Sequence, residues 1–350
     1  MTYNLFDTSL IRTYPLKQRK SKVSIDGFAD GAALLDSPIA CESRELEEFS
    51  RNIVECAREK KPVILFTGAH PVKNGLAPLF ADLMERGIVT LYATNPASAI
   101  HSFELALTGS SSENVVQALP AGEFGMAFET GVYLNRALTE GDRRGYGFGE
   151  SMARLIGDTD FRKAVLDSVF EEYEDTGEYY KPCSGFEYAD TNIFYRARAC
   201  GIPATVHASI GTDIIDQHAN SDPGAKGRTS GRDFLIFAEE TARCTRGGAV
   251  INIGSAVTGP EVLLKAVSMA ANTGRPPHDI YTGDFDLRPK GSDESFSNDS
   301  HYLYYLRDQK SIVSRIPAVF GGKGCYFQGD HADTVTSLYQ YIIRYMEEEA

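Results

Sequence analysis

The sequence predicts an α/β protein: a Rossmann-like, mostly parallel sheet with helices on both faces. Three observations carry this. Apolar runs at 62–66 (PVILF), 88–93 (IVTLYA) and 248–253 (GAVINI) are short and continuous, the mark of strands buried on both faces. Stretches with apolar residues at helical spacing separate them, the alternation that builds a parallel sheet. Small or polar residues follow the runs, as the turns at a sheet's carboxyl edge require.

The elements follow in order. Residues 1–45 read as an irregular, peripheral lead-in whose basic residues Lys17, Arg19, Lys20 and Lys22 suit a solvated face. A helix at 45–60 carries Phe49, Ile53, Val54 and Ala57 on one side. The strand at 62–66, a helix at 74–86, the strand at 88–93 and a helix at 97–107 come next. The stretch 109–150 is rich in Gly, Ser and charge, and 140–150 (EGDRRGYGFGE) reads as an exposed loop or lid. Helices are expected at 150–157, 160–173 and 187–200, and a strand at 204–208 (ATVHA). A Gly-rich polar connection at 220–231 leads to a helix at 232–243. After the strand at 248–253, Pro260 opens a helix to 272, as proline in a first turn does. A strand begins at 279–282, residues 286–300 are polar, short strands are expected near 312–319 and 324–328, and a helix closes the chain at 332–347. One α/β domain over 46–350 is the expected organisation.

Composition narrows the function classes. The 350 residues carry a net charge of −13, which repels phosphate backbones, so no nucleic-acid partner is expected. No apolar run of about 18 residues occurs, so no membrane span is expected, and 1–22 lacks the apolar core of a secretory signal. The cysteines, Cys41, Cys56, Cys183, Cys200, Cys244 and Cys325, are scattered without a CxxC pair. Reduced thiols in a cytoplasmic protein and no structural zinc are the corresponding expectation.

Several strand ends carry Gly or small polar residues: Thr67-Gly68, Thr94-Asn95, Ser209 to Gly211, Gly254-Ser255 and Gly283-Asp284. Glycine admits a ligand close to the backbone, and helix N-termini offer free N–H donors, so a small-molecule site is expected there. Neither GxGxxG nor a Walker A sequence occurs. His70, His101, His207 and His218 also fall at or just after strand ends, with Asp213 and Asp216 between the last two. Such groups suit acid–base catalysis, and their spacing matches no standard metal motif, so no metal is assigned. His331 is either a helix-start residue or a site residue.

The order of elements over 60–340 resembles the deoxyhypusine synthase family. The segment from Thr67 to Leu76 (TGAHPVKNGL) is similar to that family's Thr-Ser-Asn loop and following helix start. The segment from Ala93 to His101 stands where the family has Thr-Thr-Ala-Gly-Gly. Ile202-Pro203, the run from Gly248 to Val257, the loop from Gly291 to Ser295 and the loop from Gly329 to Asp333 resemble later family segments. The resemblance implies an NAD-dependent transferase that oxidises an amine or polyamine and transfers a group through an imine, assembled as a homotetramer. It implies Thr67, Gly68, Thr94, Asn95, Gly254, Ser255, Ser292, Asp293 and Asp330 on the cofactor side. The family's Trp-Gly-Lys is absent, since the chain has no Trp, and the nearest counterpart is Gln309-Lys310-Ser311. His101, His207 and Asp213 are the candidates for proton transfer or amine binding, with Lys310 as candidate nucleophile. A hydrolase or lyase built on the His/Asp group, or a non-catalytic nucleotide-binding homologue, are the alternatives.

Overall fold

The computed structural model describes residues 3–173, 178–292 and 300–348. Six parallel strands form the sheet: β1 (Val63–Thr67), β2 (Leu91–Thr94), β3 (Ala204–Val206), β4 (Gly248–Ile253), β5 (Ile280–Asp286) and β6 (Lys323–Gln328). Their order is β3-β2-β1-β4-β5-β6, the doubly wound arrangement in which the winding reverses between β1 and β4. Every residue of β1, β2 and β4 is buried, which is why their sequences are continuously apolar rather than alternating.

Helices cover both faces. Ile64, Phe66, Leu91, Ala93, Val250 and Ile280 pack under α8 (Pro223–Ala242) and α9 (Thr258–Asn272). Val63, Leu65, Tyr92, Ala249, Ile251 and Ile253 face α1 (Arg44–Arg58), α2 (Ala77–Glu85), α3 (Pro96–Thr108) and α10 (His331–Glu347). Helix α3 is the best specified locally. Asn95 caps its N-terminus, Pro96 occupies the first turn, and Gly109 ends it in the left-handed region at φ 69°. Helices α4 (Leu134–Arg143), α5 (Phe148–Gly157), α6 (Thr159–Glu172) and α7 (Ile193–Ala199) build a layer beside β3.

Four sequence expectations need correction. Residues 140–150 are no lid: they end α4 and begin α5, and Gly141, Gly147 and Gly149 serve close packing. A Cβ at Gly141 would lie 1.9 Å from Ser151 Oγ, and one at Gly149 would lie 1.8 Å from the Ala204 carbonyl oxygen. Residues 223–231 belong to α8, which starts early because Asp222 caps it and Pro223 opens it. The β-branched run at 312–319 is helical, with Ile312 and Ile316 four residues apart and both buried against the sheet. Arg19 is not on a solvated face: its side chain is 6% exposed and ion-paired to Glu104. Through it the lead-in is clamped to α3.

Candidate functional site

The carboxyl edge presents two adjoining features. The first is the crevice between β1 and β4, where the winding reverses. The turns after these strands touch: Gly68 N–H donates to the Ile253 carbonyl at 2.8 Å. A Cβ at Gly68 would lie 2.2 Å from the Gly254 carbonyl oxygen, and Gly254 itself holds φ 64°. Both glycines are therefore required by the mutual approach of the turns. His331 lies beside them, 5.5 Å from the His70 ring and 2.7 Å, at Cε1, from a Cβ placed on Gly254. Its Nε2 is 3.2 Å from the Phe285 carbonyl, so Nε2 carries the proton and Nδ1 is a buried acceptor with no partner. Burial holds this imidazole below its ordinary pKa.

The hydroxyls expected around a cofactor are engaged within the protein. Thr67 Oγ1 meets Tyr92 OH at 2.7 Å, and Thr94 Oγ1 donates to the Thr67 carbonyl at 2.9 Å, all fully buried. These threonines tie β1 to β2 beneath the edge rather than facing the crevice. Asn95 Oδ1 accepts from Ser98 N–H at 3.1 Å, and Ser255 Oγ accepts from Gly259 N–H at 2.9 Å. Asp330 caps α10 through Ala332 N–H at 2.9 Å. Ser292 is exposed, and Asp293 lies outside the described residues.

The second feature is a cavity of 310 Å³ whose walls descend from three successive strand ends. Lys73 comes from the helical turn after β1, Ala97, Ile100 and His101 from α3 after β2, and Thr212 to Ile214 from the loop after β3. Arg19 and Lys22 of the lead-in and Glu113 close the rim.

His101 lines this cavity as a neutral ring. Its Nδ1 lies 2.7 Å from Ser111 Oγ, and Ser111 Oγ donates its one proton to Glu104 Oε2 at 2.6 Å. The serine can therefore only accept from Nδ1–H, which leaves the lone pair on Nε2. Burial, with Lys73 and Arg19 nearby, outweighs Glu104 and pushes the imidazole down to about 4, so it is neutral at pH 7. Glu104 is held by Arg19 at 2.8 and 2.7 Å and by Thr130 Oγ1 at 2.7 Å. Burial alone would raise this carboxyl, but the guanidinium and its hydrogen bonds hold it below the usual range. The sequence did not single out Glu104, Ser111 or Arg19. Only the three-residue spacing of His101 and Glu104 on a predicted helix signalled that they share a face.

The remaining candidates go elsewhere. His207 is not brought to the cavity. It stacks on Phe66 at 5.5 Å, meets the edge of Phe237 at 5.3 Å, and bonds Thr205 Oγ1 through Nε2 at 3.1 Å. Burial pushes it down to about 3, a neutral core histidine under α8. His218 is likewise buried, its Nε2 2.8 Å from the Gly125 carbonyl. Asp213 does line the cavity, but its Oδ2 accepts from the buried Lys226 Nζ at 2.7 Å, which also bonds Asp216 at 2.7 Å. Lys310 is buried, not at the surface. Its Nζ donates to the Tyr304 carbonyl at 3.2 Å and sits 3.0 Å from the centre of the Tyr304 ring. Among the described residues, no three His, Cys, Asp or Glu side chains gather as metal ligands.

No protein-family model and no curated protein matches the sequence. Similar solved structures include AgrE in ternary complex with ornithine and NAD+, at 12% identity and TM-score 0.49, covering 88% of this chain and 34% of that one. ArgZ, an arginine dihydrolase from the ornithine-ammonia cycle in cyanobacteria, gives 12% and 0.48 over 88% of this chain and 34% of its own. A LOR/SDH protein from Methanococcus maripaludis S2 gives 14% and 0.45 over 95% and 74%. The chain thus spans about a third of the length of AgrE and ArgZ. The fold class rests on the strand order of this chain itself: a doubly wound, Rossmann-like α/β sheet.

Proposed function

We propose that this chain is an NAD-dependent enzyme, similar in design to deoxyhypusine synthase, that oxidises an amine-bearing small molecule and passes on the resulting imine carbon. The observation that carries the reading is the neutral, Nε2-basic His101 in a cavity beside the reversal crevice. In doubly wound sheets that crevice is where nucleotides bind. What supports a cofactor at this edge is His331 Nδ1, a buried acceptor with no hydrogen-bond partner beside the turns of Gly68 and Gly254. Gly68, Gly254, Ser255 and His331 would hold the group, which when bound supplies a hydride acceptor.

The chain's own part is proton handling. His101 Nε2 removes the N–H proton of the amine as the adjacent C–H bond gives up its hydride, leaving a neutral imine. Ser111 and Glu104 fix the ring, and Glu104 stabilises the imidazolium that forms. Lys310, the candidate nucleophile, does not line the cavity, so the imine carbon would pass to an acceptor amine brought by a second substrate, releasing the nitrogen it first carried; a homotetramer is the proposed assembly.

A base of this kind also serves a lyase that needs no cofactor, so the test separates the two. The purified protein is mixed with NAD and a panel of amines, and NADH formation is followed by absorbance. Amine-dependent NADH supports the reading. Substrate consumption that proceeds equally without NAD refutes it in favour of the lyase.

A further inference from the structure

The 310 Å³ cavity is lined by three cations, Arg19, Lys22 and Lys73, and three acids, Glu104, Glu113 and Asp213. Arg19 is matched by Glu104, and Asp213 by Lys226. Lys226 is shared with Asp216, so what remains is Lys22 and Lys73, which make no ion pair among the described residues, against Glu113 and the surplus charge of the Asp213–Asp216 pair. Glu113 Oε1 accepts from Gly125 N–H at 2.9 Å, while Oε2 has no hydrogen-bond partner. Burial holds this carboxyl above its ordinary pKa, an effect that an arriving ammonium group would reverse. Lys73 lies near enough to His101 to disfavour protonation of the ring. Ala97 and Ile100 supply part of the cavity's apolar wall. The volume is at the small end for a ligand site, which suits a short molecule.

We infer that the cavity takes an amino acid: a short ligand whose carboxylate meets Lys73 and Lys22 and whose amine meets Glu113 beside His101. This rests on the amine reading above and narrows it. A simple polyamine brings no anionic group for Lys22 and Lys73, so it fits worse than a zwitterion. The carboxylate would also neutralise Lys73, easing the positive charge that develops on His101 during proton abstraction.

The test is calorimetric titration of the full chain, saturated with NAD, with L-ornithine and with putrescine, its decarboxylated counterpart. Ornithine is expected to bind at least tenfold more tightly. Lys73→Gln, half-buried and outside the core, should cut ornithine affinity at least tenfold and leave putrescine unchanged or improved. Its thermal melt, matching wild type, shows that the variant is folded. Equal or tighter putrescine binding, an unchanged ornithine affinity in Lys73→Gln, or binding of neither ligand overturns the inference. A putrescine preference leaves the amine-oxidising reading standing, whereas failure to bind NAD in the same protein defeats that reading separately.

Discussion

Replacing Arg19 with Ala tests the foundation of the site. Glu104 is 1% exposed and accepts from Arg19 at 2.8 and 2.7 Å, from Ser111 at 2.6 Å and from Thr130 at 2.7 Å. Without the guanidinium, two neutral donors remain to a buried charge. Removing one partner of a buried pair costs about 3–5 kcal/mol, because the other is left uncompensated. Urea unfolding at pH 7 reads this as a lower midpoint with an unchanged slope. The pH dependence has a definite sign. In the wild type, Glu104 lies below its unfolded value, so its contribution is present above about pH 4.5 and fades as pH falls through the folded pKa. In Arg19→Ala, burial is opposed only by the remaining hydrogen bonds, so the folded pKa rises and the variant recovers stability relative to wild type on acidification. The same substitution raises the pKa of His101, since Arg19 is one of the charges disfavouring its protonation. A cost below about 1 kcal/mol, the size of an exposed pair, would refute the claim that the lead-in is clamped through this contact.

Three further outcomes follow from the same geometry. His101→Gln should lower amine-dependent NAD reduction by about 100-fold or more while leaving NAD affinity unchanged, and steady-state kinetics with calorimetry separates the two. Gly68→Ala puts a methyl group 2.2 Å from the Gly254 carbonyl oxygen, so the paired turns must shift. It should cost about 1–3 kcal/mol in urea unfolding and weaken NAD binding. Asp233 is buried at 1% exposure, with Oδ2 accepting Gly149 and Val206 N–H at 2.9 and 2.7 Å and Oδ1 unpartnered. Burial pushes it up to about 8, so the wild type loses stability as pH rises from about 4 towards 8. Asp233→Asn should gain on the wild type across that window in pH-dependent melts, and a constant difference would count against the assignment.

The sheet was legible because burial on both faces writes itself into sequence as continuous apolar runs. The 62–66 and 248–253 runs lie on β1 and β4, with boundaries within one residue. The 88–93 run overshot because Ile88 and Val89 are equally apolar but lie in the approach to β2. Glycine misled more than any other residue: Gly141, Gly147 and Gly149 suggested mobility, yet they are where helices approach side chains and a strand. The 312–319 run misled through β-branching, which suits a strand but is tolerated where Ile312 and Ile316 pack on one helical side. Of the site, His101, Asp213 and the glycine turns could be read locally. Arg19 and Glu104 could not, because they meet across 85 residues. His207 carries the same local signal as His101, and only the surrounding Phe66 and Phe237 separate a core ring from one that lines the cavity.

Calorimetric titration of the folded protein with NAD tests the central claim most directly. The account predicts saturable binding of one NAD per chain, weakened by Gly68→Ala and indifferent to His101→Gln. No heat of binding, in protein that melts cooperatively, would contradict it and leave the crevice between β1 and β4 without a nucleotide.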